Sequence, residues 1–337
     1  MRNIFYFFLC LIGLSACGNG GDKAAEQQKQ LPAALVNPMI RPLTEAIEYD
    51  PKNAKLYYQR SVELNKMGQV ELTMADLQKA VALAPDNIDY RESLALFLID
   101  KKKANEALEQ VKILQQKKPK DATYTLLEAE ALMAGGYLDK AEPIINRLML
   151  EMANEPDVIL DASRLKAAQK DTVKAIAYAK EVLKITPNFF DGLYQLADLY
   201  SATGNPEALQ WYEKIYRLDT LNPNPVYDAA LFYKSQGKVA MAKQYYIKTI
   251  KIDKDFTNAY LEYGKILMQQ DSAEKADRQF QIAIEVAPNS AEAYYQKGLA
   301  ALKLNKKAAA MSMFNQALVF DKNNTAVLAE LKKLQTK

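Results

Sequence analysis

The chain has 337 residues, of which 49% are hydrophobic and 25% charged, with only 12 Gly and 13 Pro. That is a helix-forming, soluble composition, long enough for two globular domains or for one repeat array without a central core. A formal net charge of +3 calls for neither nucleic acid nor lipid headgroups, and the absence of histidine, with Cys10 and Cys17 as the only cysteines, excludes disulfides, thiolate catalysis and Cys/His zinc sites from the folded part.

Residues 1–16 open with Met-Arg-Asn and continue in an apolar run from Ile4 to Leu14. The run is too short for a membrane span, which needs roughly 20 apolar residues, and reads as a secretory signal. Leu14-Ser15-Ala16-Cys17 resembles the lipobox of bacterial lipoproteins, in which the signal is cut before the cysteine and its sulfur is acylated. The resemblance implies a lipid anchor at Cys17, carrying diacylglycerol and an N-acyl chain (palmitate-type lipidation), and two or more chains hold stably where one does not. Gly18, where an Asp would imply inner-membrane retention, points to the outer membrane, and a tether with a lone acidic residue, Asp22, implies a periplasm-facing protein, with surface exposure left open. Residues 17–32 are the lipidated Cys and a flexible tether reaching roughly 20 Å, at most about 50 Å.

From residue 33 a 34-residue period sets in. Pro51, Pro85 and Pro119 keep this spacing, and it returns at Asp253-Lys254, Ala287-Pro288 and Asp321-Lys322. The ruler yields a half repeat at 33–53 and eight units: 54–87, 88–121, 122–155, 156–189, 190–222, 223–256, 257–290 and 291–324. In each, small or apolar residues recur at positions 4, 7, 8 and 11 and again at 20, 24 and 27, which predicts two amphipathic helices, A and B. Gly68, Gly136, Gly204 and Gly237 fall between A and B, where a left-handed residue ends a helix. Asn205-Pro206 reads as an N-cap and first helical residue, and Pro143 as part of an opening turn. Residues 325–337 read as a polar-backed capping helix.

Tyr260, Gly264, Leu267, Ala276, Phe280 and Ala283 in the seventh unit, with Tyr294, Gly298, Ala301, Ala310, Phe314 and Ala317 in the eighth, resemble the tetratricopeptide repeat. The resemblance spans residues 33–324 and implies an all-α, right-handed α-solenoid of about eight helix-turn-helix units. Arg60, Thr73, Glu128 and Lys166 depart from the pattern, and about three extra residues near Met149 to Pro156 make the fourth unit the least regular.

In that family the A helices line the concave side, with positions 2, 5, 9 and 12 facing the groove. This places Tyr58, Tyr194, Tyr227 and Tyr295, with Leu231, Leu261, Met268, Leu299 and Leu302, on the expected partner-binding face. The central part of the groove is charged, with Glu130, Asp157, Arg164, Asp191 and Asp198, and reads either as a solvated face or as a site for a basic peptide. The family's chaperone-binding members clamp a terminal carboxylate with Lys at position 5 and Asn at position 9; here those pairs include Tyr58/Val62, Glu92/Leu96 and Tyr194/Asp198. Phosphate loops, metal-ligand clusters and nucleophile–histidine pairs are missing, so the expectation is a non-enzymatic scaffold without cofactor, metal, nucleic acid or small-molecule substrate, holding protein or peptide partners at the cell envelope and assisting assembly or recruitment of an outer-membrane or secretion complex. A self-associating spacer and a carboxylate-based hydrolase stand as alternatives.

Overall fold

Eight times along the chain a helix ends on a left-handed residue and reverses into a partner helix, and this punctuation organises the computed structural model, which describes residues 32–335. The signal segment and Cys17 lie outside the described residues. After α1 (Arg41–Tyr49) come α2 (Ala54–Lys66) with α3 (Val70–Leu83), α4 (Ile88–Asp100) with α5 (Ala104–Lys117), α6 (Ala122–Ala134) with α7 (Leu138–Glu151), and α8 (Pro156–Ala168) with α9 (Thr172–Ile185). The series continues as α10 (Phe190–Ala202) with α11 (Ala208–Leu218), α12 (Asn224–Ser235) with α13 (Val239–Ile252), α14 (Thr257–Gln269) with α15 (Ala273–Val286), and α16 (Ala291–Lys303) with α17 (Lys307–Phe320), before α18 (Thr325–Gln335). The fold is the expected all-α arrangement of helix-turn-helix pairs; the even-numbered helices α2 to α16 are the A helices.

The bend residues are Gly68, Lys102, Gly136, Lys170, Gly204, Gly237, Asp271 and Asn305, with φ from 54° to 76°. At each, the next residue donates its N–H to the carbonyl five residues back at 2.8–2.9 Å, a closure that requires the left-handed conformation. Four of the eight are glycines, foreseeable from sequence. Of the other four, Asp271 and Asn305 tolerate the conformation, whereas the hairpin imposes it on Lys102 and Lys170.

The structure divides into two compact units after Asp86. In the first, a 3-10 turn (Ala33–Val36) and α1 join the α2–α3 hairpin, with Leu35, Ile40 and Leu64 buried together. Arg60 is no defect of the repeat. Its guanidinium donates to both carboxylate oxygens of Asp76 on α3, from Nε at 2.7 Å and Nη2 at 2.8 Å, and from Nη1 to Thr44 Oγ1 at 3.3 Å. Both partners are buried, so each charge is tolerated there only because the other is present. Thr73 satisfies its hydroxyl on the Gln69 carbonyl at 2.8 Å.

The second unit stacks the remaining seven hairpins and α18. Its core is built by size compensation between position 8 of helix A and the facing position of helix B. Ala95 shares a core cluster with Val111, Ala129 with Ile145, Ala197 with Tyr212, and Ala230 with Tyr246. Where the B residue is phenylalanine the A residue is glycine: a Cβ on Gly264 would lie 2.4 Å from Phe280, and one on Gly298 2.4 Å from Phe314. Each fully buried ring contributes about 1.5–3 kcal/mol through the apolar surface it removes from water.

The remaining departures are likewise paired. Glu128 accepts from Gln115 Nε2 at 2.7 Å, and Lys166 donates to Glu142 Oε1 at 2.6 Å. The extra residues expected near Met149 to Pro156 do not exist as an insertion. α7 has the same 14 residues as α5 and α9, and the fourth hairpin is regular. The irregularity lies in the fifth, where α11 has 11 residues. Pro206 precedes that helix instead of opening it, although Asn205 Oδ1 does accept the Glu207 N–H at 2.9 Å. Pro143 sits past the first turn, at the sixth residue of α7, so its missing N–H leaves the Asp139 carbonyl without the usual helical donor. α18 lays Val327 and Leu331 against Ala310, Phe314 and Ala317 of α17.

Candidate protein-binding face

In the second unit α4 packs on α6, α6 on α8, α8 on α10 and α14 on α16, each skipping the helix between, whereas successive B helices do not approach one another as closely. From α4 to α10, and again at α14 and α16, the A helices are therefore the more crowded layer of this stack, and the residues they leave uncovered form its candidate face.

Polar contacts between successive A helices run along it. Tyr124 donates to Glu92 at 3.4 Å, and Gln195 to Ser163 at 3.2 Å. The Arg164 guanidinium reaches Asp161 at 3.0 Å, Asp191 at 3.7 Å and Glu130 at 3.9 Å. Toward the C-terminal end Lys234 pairs with Glu262, and Lys265 joins Glu262 at 3.2 Å to Glu292 at 3.0 Å. Those two lysines, together with their hydrogen bonds, outweigh desolvation and hold the Glu262 carboxyl below its ordinary range.

The central helices behave differently. Asp161 on α8 is 1% exposed; burial first, and then the negative charge of Glu130, push its pKa up to about 8 despite the nearby Arg164. Glu130 is also raised, mainly by burial. Asp228 on α12 is pushed up to about 7 by burial and by Asp198. Asp198 is exposed to solvent, yet the protein packed around it raises its pKa, and its Oδ1 accepts the Tyr212 hydroxyl at 2.9 Å.

Of the residues expected on the face, Tyr194 and Tyr227 are half-buried beside this acid pair, each pushed up to about 12 by burial and by neighbouring carboxylates. Tyr227 also packs its ring 4.9 Å from Phe256. Leu231 is 37% exposed. Leu261 is 6% exposed and belongs to the core around Phe280, so it offers a partner little surface, and Met268 packs partly against the same core. Tyr295, Leu299 and Leu302 are half-buried against the cluster that α18 completes, leaving only their edges to solvent. Tyr58, in the first unit, lines a cavity of about 300 Å³ with Leu43, Gln59, Val62 and Glu63. Sequence reasoning missed Asp161, Asp228 and Glu262. All three stand at position 6 of their units, and a polar residue recurring at one register was the available signal.

Residues 54–87 and 226–256 match one family model described as tetratricopeptide repeat, and residues 261–325 match another with the same description. TPR repeat-containing protein YpiA of Bacillus subtilis (strain 168) is 23% identical over 272 residues, covering 80% of this chain and 62% of its own length. DnaJ homolog subfamily C member 3 of Mus musculus is 23% identical over 282 residues, covering 81% of this chain. The chain thus spans somewhat more than half the length of these curated relatives, 62% and 52%. Among solved structures, the C-terminal part of a TPR repeat-containing protein from Cytophaga hutchinsonii superposes with a TM-score of 0.50 at 19% identity, covering 72% of this chain and 98% of that one. That likeness concerns the fold alone.

Proposed function

The chain is a tetratricopeptide-repeat protein, and on that premise we propose that it is a non-catalytic scaffold that holds a partner polypeptide along the exposed side of its A helices. The observation that carries this reading is the presence on the A helices of half-buried tyrosines and an exposed leucine: Tyr194, Tyr227 and Leu231 combine large contact area with few rotors to freeze. Charged side chains on this layer pair with residues of the next A helix, so the face is ordered before a partner arrives, which lowers the entropy lost on binding.

The scaffold acts at the cell envelope, anchored through Cys17 and facing the periplasm from the outer membrane, where it assists assembly or recruitment of a membrane or secretion complex. Support for this comes from the signal-like run and the Leu14-Ser15-Ala16-Cys17 tetrapeptide. Photo-crosslinking groups placed at Tyr194, Tyr227 and Leu231 are expected to capture protein in cells more strongly than groups at exposed B-helix positions such as Lys184 and Arg217; equal capture rejects the A face. Cys17→Ala is expected to abolish lipid labelling and release the protein from the membrane fraction, and unchanged fractionation rejects the anchor.

A further inference from the structure

We infer that the packing of α6 on α8 is a pH-sensitive clasp: one proton shared by Glu130 and Asp161 keeps the two helices together beside the Arg164 guanidinium, and its loss parts them along the A face. The clasp is a property of the stack itself and stands whether or not that face holds a partner.

Three successive A helices bring an acid to one arginine. Arg164 Nη1 on α8 lies 3.0 Å from Asp161 Oδ1 and 3.9 Å from Glu130 Oε1 of α6, and its Nη2 lies 3.7 Å from Asp191 Oδ2 of α10. Because the first two acids lie against one nitrogen, their carboxyl groups are neighbours. Asp161 is 1% exposed, and its Oδ2 is buried without a hydrogen-bond partner among the described residues. Ionising both groups would set like charges side by side where water does not reach, and one retained proton removes that repulsion.

The other charged groups around α8 do not offset a second ionisation. Asp157 of α8 and Asp191 of α10, both exposed, add negative charge near Glu130, so the one guanidinium stands against four acids. On α7, Glu142 is taken by Lys166 at 2.6 Å; on α9, Lys174 is paired with Asp171 at 3.2 Å, and Tyr178 packs against the apolar core. Burial, and after it the charge of Glu130, accordingly push the Asp161 pKa up to about 8, and burial raises Glu130 as well.

The closed clasp keeps a proton that Asp161 releases once α6 and α8 part and water reaches it. Below about pH 4 both states hold that proton; between about pH 4 and pH 8 each pH unit favours the parted state about tenfold; above about pH 8 both have lost it and the effect levels off. Ala129 and Leu132 of α6, Ile145 of α7, and Ala162 and Leu165 of α8 form one apolar cluster whose contacts do not depend on pH, and it serves as the hinge. α8 and α10 keep a neutral tie, Gln195 Nε2 to Ser163 Oγ at 3.2 Å, beside the Arg164–Asp191 pair. A repeat stack couples nearest neighbours, so one joint can loosen while the rest holds.

Hydrogen exchange of the purified protein, followed by mass spectrometry between about pH 5 and pH 7 and corrected for the intrinsic rate, reads the parting. Protection of α6 and α8 is expected to fall about tenfold per pH unit, while α14 and α15 hold theirs, because two lysines already neutralise Glu262. Asp161→Asn keeps the acceptor for Arg164 and brings an amide donor to Glu130, so it is expected to abolish the pH dependence. Glu130→Gln, which removes the like charge, is expected to weaken it, and it becomes the deciding variant should Asp161→Asn lose its helical circular dichroism. Protection of α6 and α8 that does not change with pH, an equal fall in α14 and α15, or a pH dependence unchanged in the deciding variant overturns the clasp.

Discussion

Replacing Gly264 by alanine tests whether the core is set by size compensation across each hairpin. In the middle of an exposed helix this change stabilises by about 1 kcal/mol, because Gly loses more backbone freedom on folding than Ala. In α14 the new methyl would stand 2.4 Å, 2.8 Å and 2.9 Å from three ring carbons of Phe280, which is fully buried and has no solvent to retreat into. Forcing such a group into a packed core costs about 1–3 kcal/mol, and contacts this short belong at the upper end. The packing loss therefore exceeds the propensity gain, and a net destabilisation of about 1–2 kcal/mol is expected, visible as a lower urea midpoint by circular dichroism and faster amide exchange in α14 and α15. Phe280→Ile alone opens a cavity and also destabilises. The double variant recreates the Ala129–Ile145 pairing of the third hairpin, so the two changes together should cost at least about 1 kcal/mol less than their sum. The Ala230–Tyr246 pair shows that a ring can face alanine when its surroundings are built for it, which is why the coupling, more than the single value, carries the test. A Gly264→Ala variant more stable than the parent, or additive effects within about 0.5 kcal/mol, refutes the reasoning.

Arg60→Ala should destabilise the first unit by about 3–5 kcal/mol in urea unfolding, because it strands the buried Asp76 carboxylate, whereas the paired Arg60→Met/Asp76→Leu change should cost far less. Lys170→Gly should raise stability by about 0.5–1 kcal/mol by relieving its φ of 65°, while Gly136→Ala, at φ 76°, should lower it by a similar amount; both are read as shifts in unfolding midpoint. Asp161 has a folded pKa raised above its unfolded value near 4, so the native state keeps a proton that the unfolded chain has released. Its contribution to stability is whole below about pH 4 and is lost as pH rises toward about 8. Asp161→Asn, which mimics the protonated acid, should therefore be near neutral below about pH 4 and increasingly stabilising as pH rises toward about 8. An unchanged pH slope of unfolding in that variant removes Asp161 as its source.

Much of this architecture is local, and local features are readable in order. Helix spacing, the 34-residue period and the small or apolar positions of each hairpin depend on residues within one or two helices, so they predict the all-α repeat fold directly, whereas the aromatic A-helix face is what the resemblance to the tetratricopeptide repeat implies. What escaped depends on which side chains meet across the chain. Arg60 looked misplaced until Asp76, sixteen residues on, was seen to hold it, and Lys166 until Glu142 was brought to 2.6 Å. Lys102, Lys170, Asp271 and Asn305 have no intrinsic reason as strong as glycine's to turn left-handed; hairpin closure, a property of two packed helices, imposes it. The acidic residues show the division most clearly. Their number is evident from composition, but whether a carboxylate is solvated or stranded depends on the helices packed around it, and only the stacking of α6 on α8 buries Asp161 against Glu130.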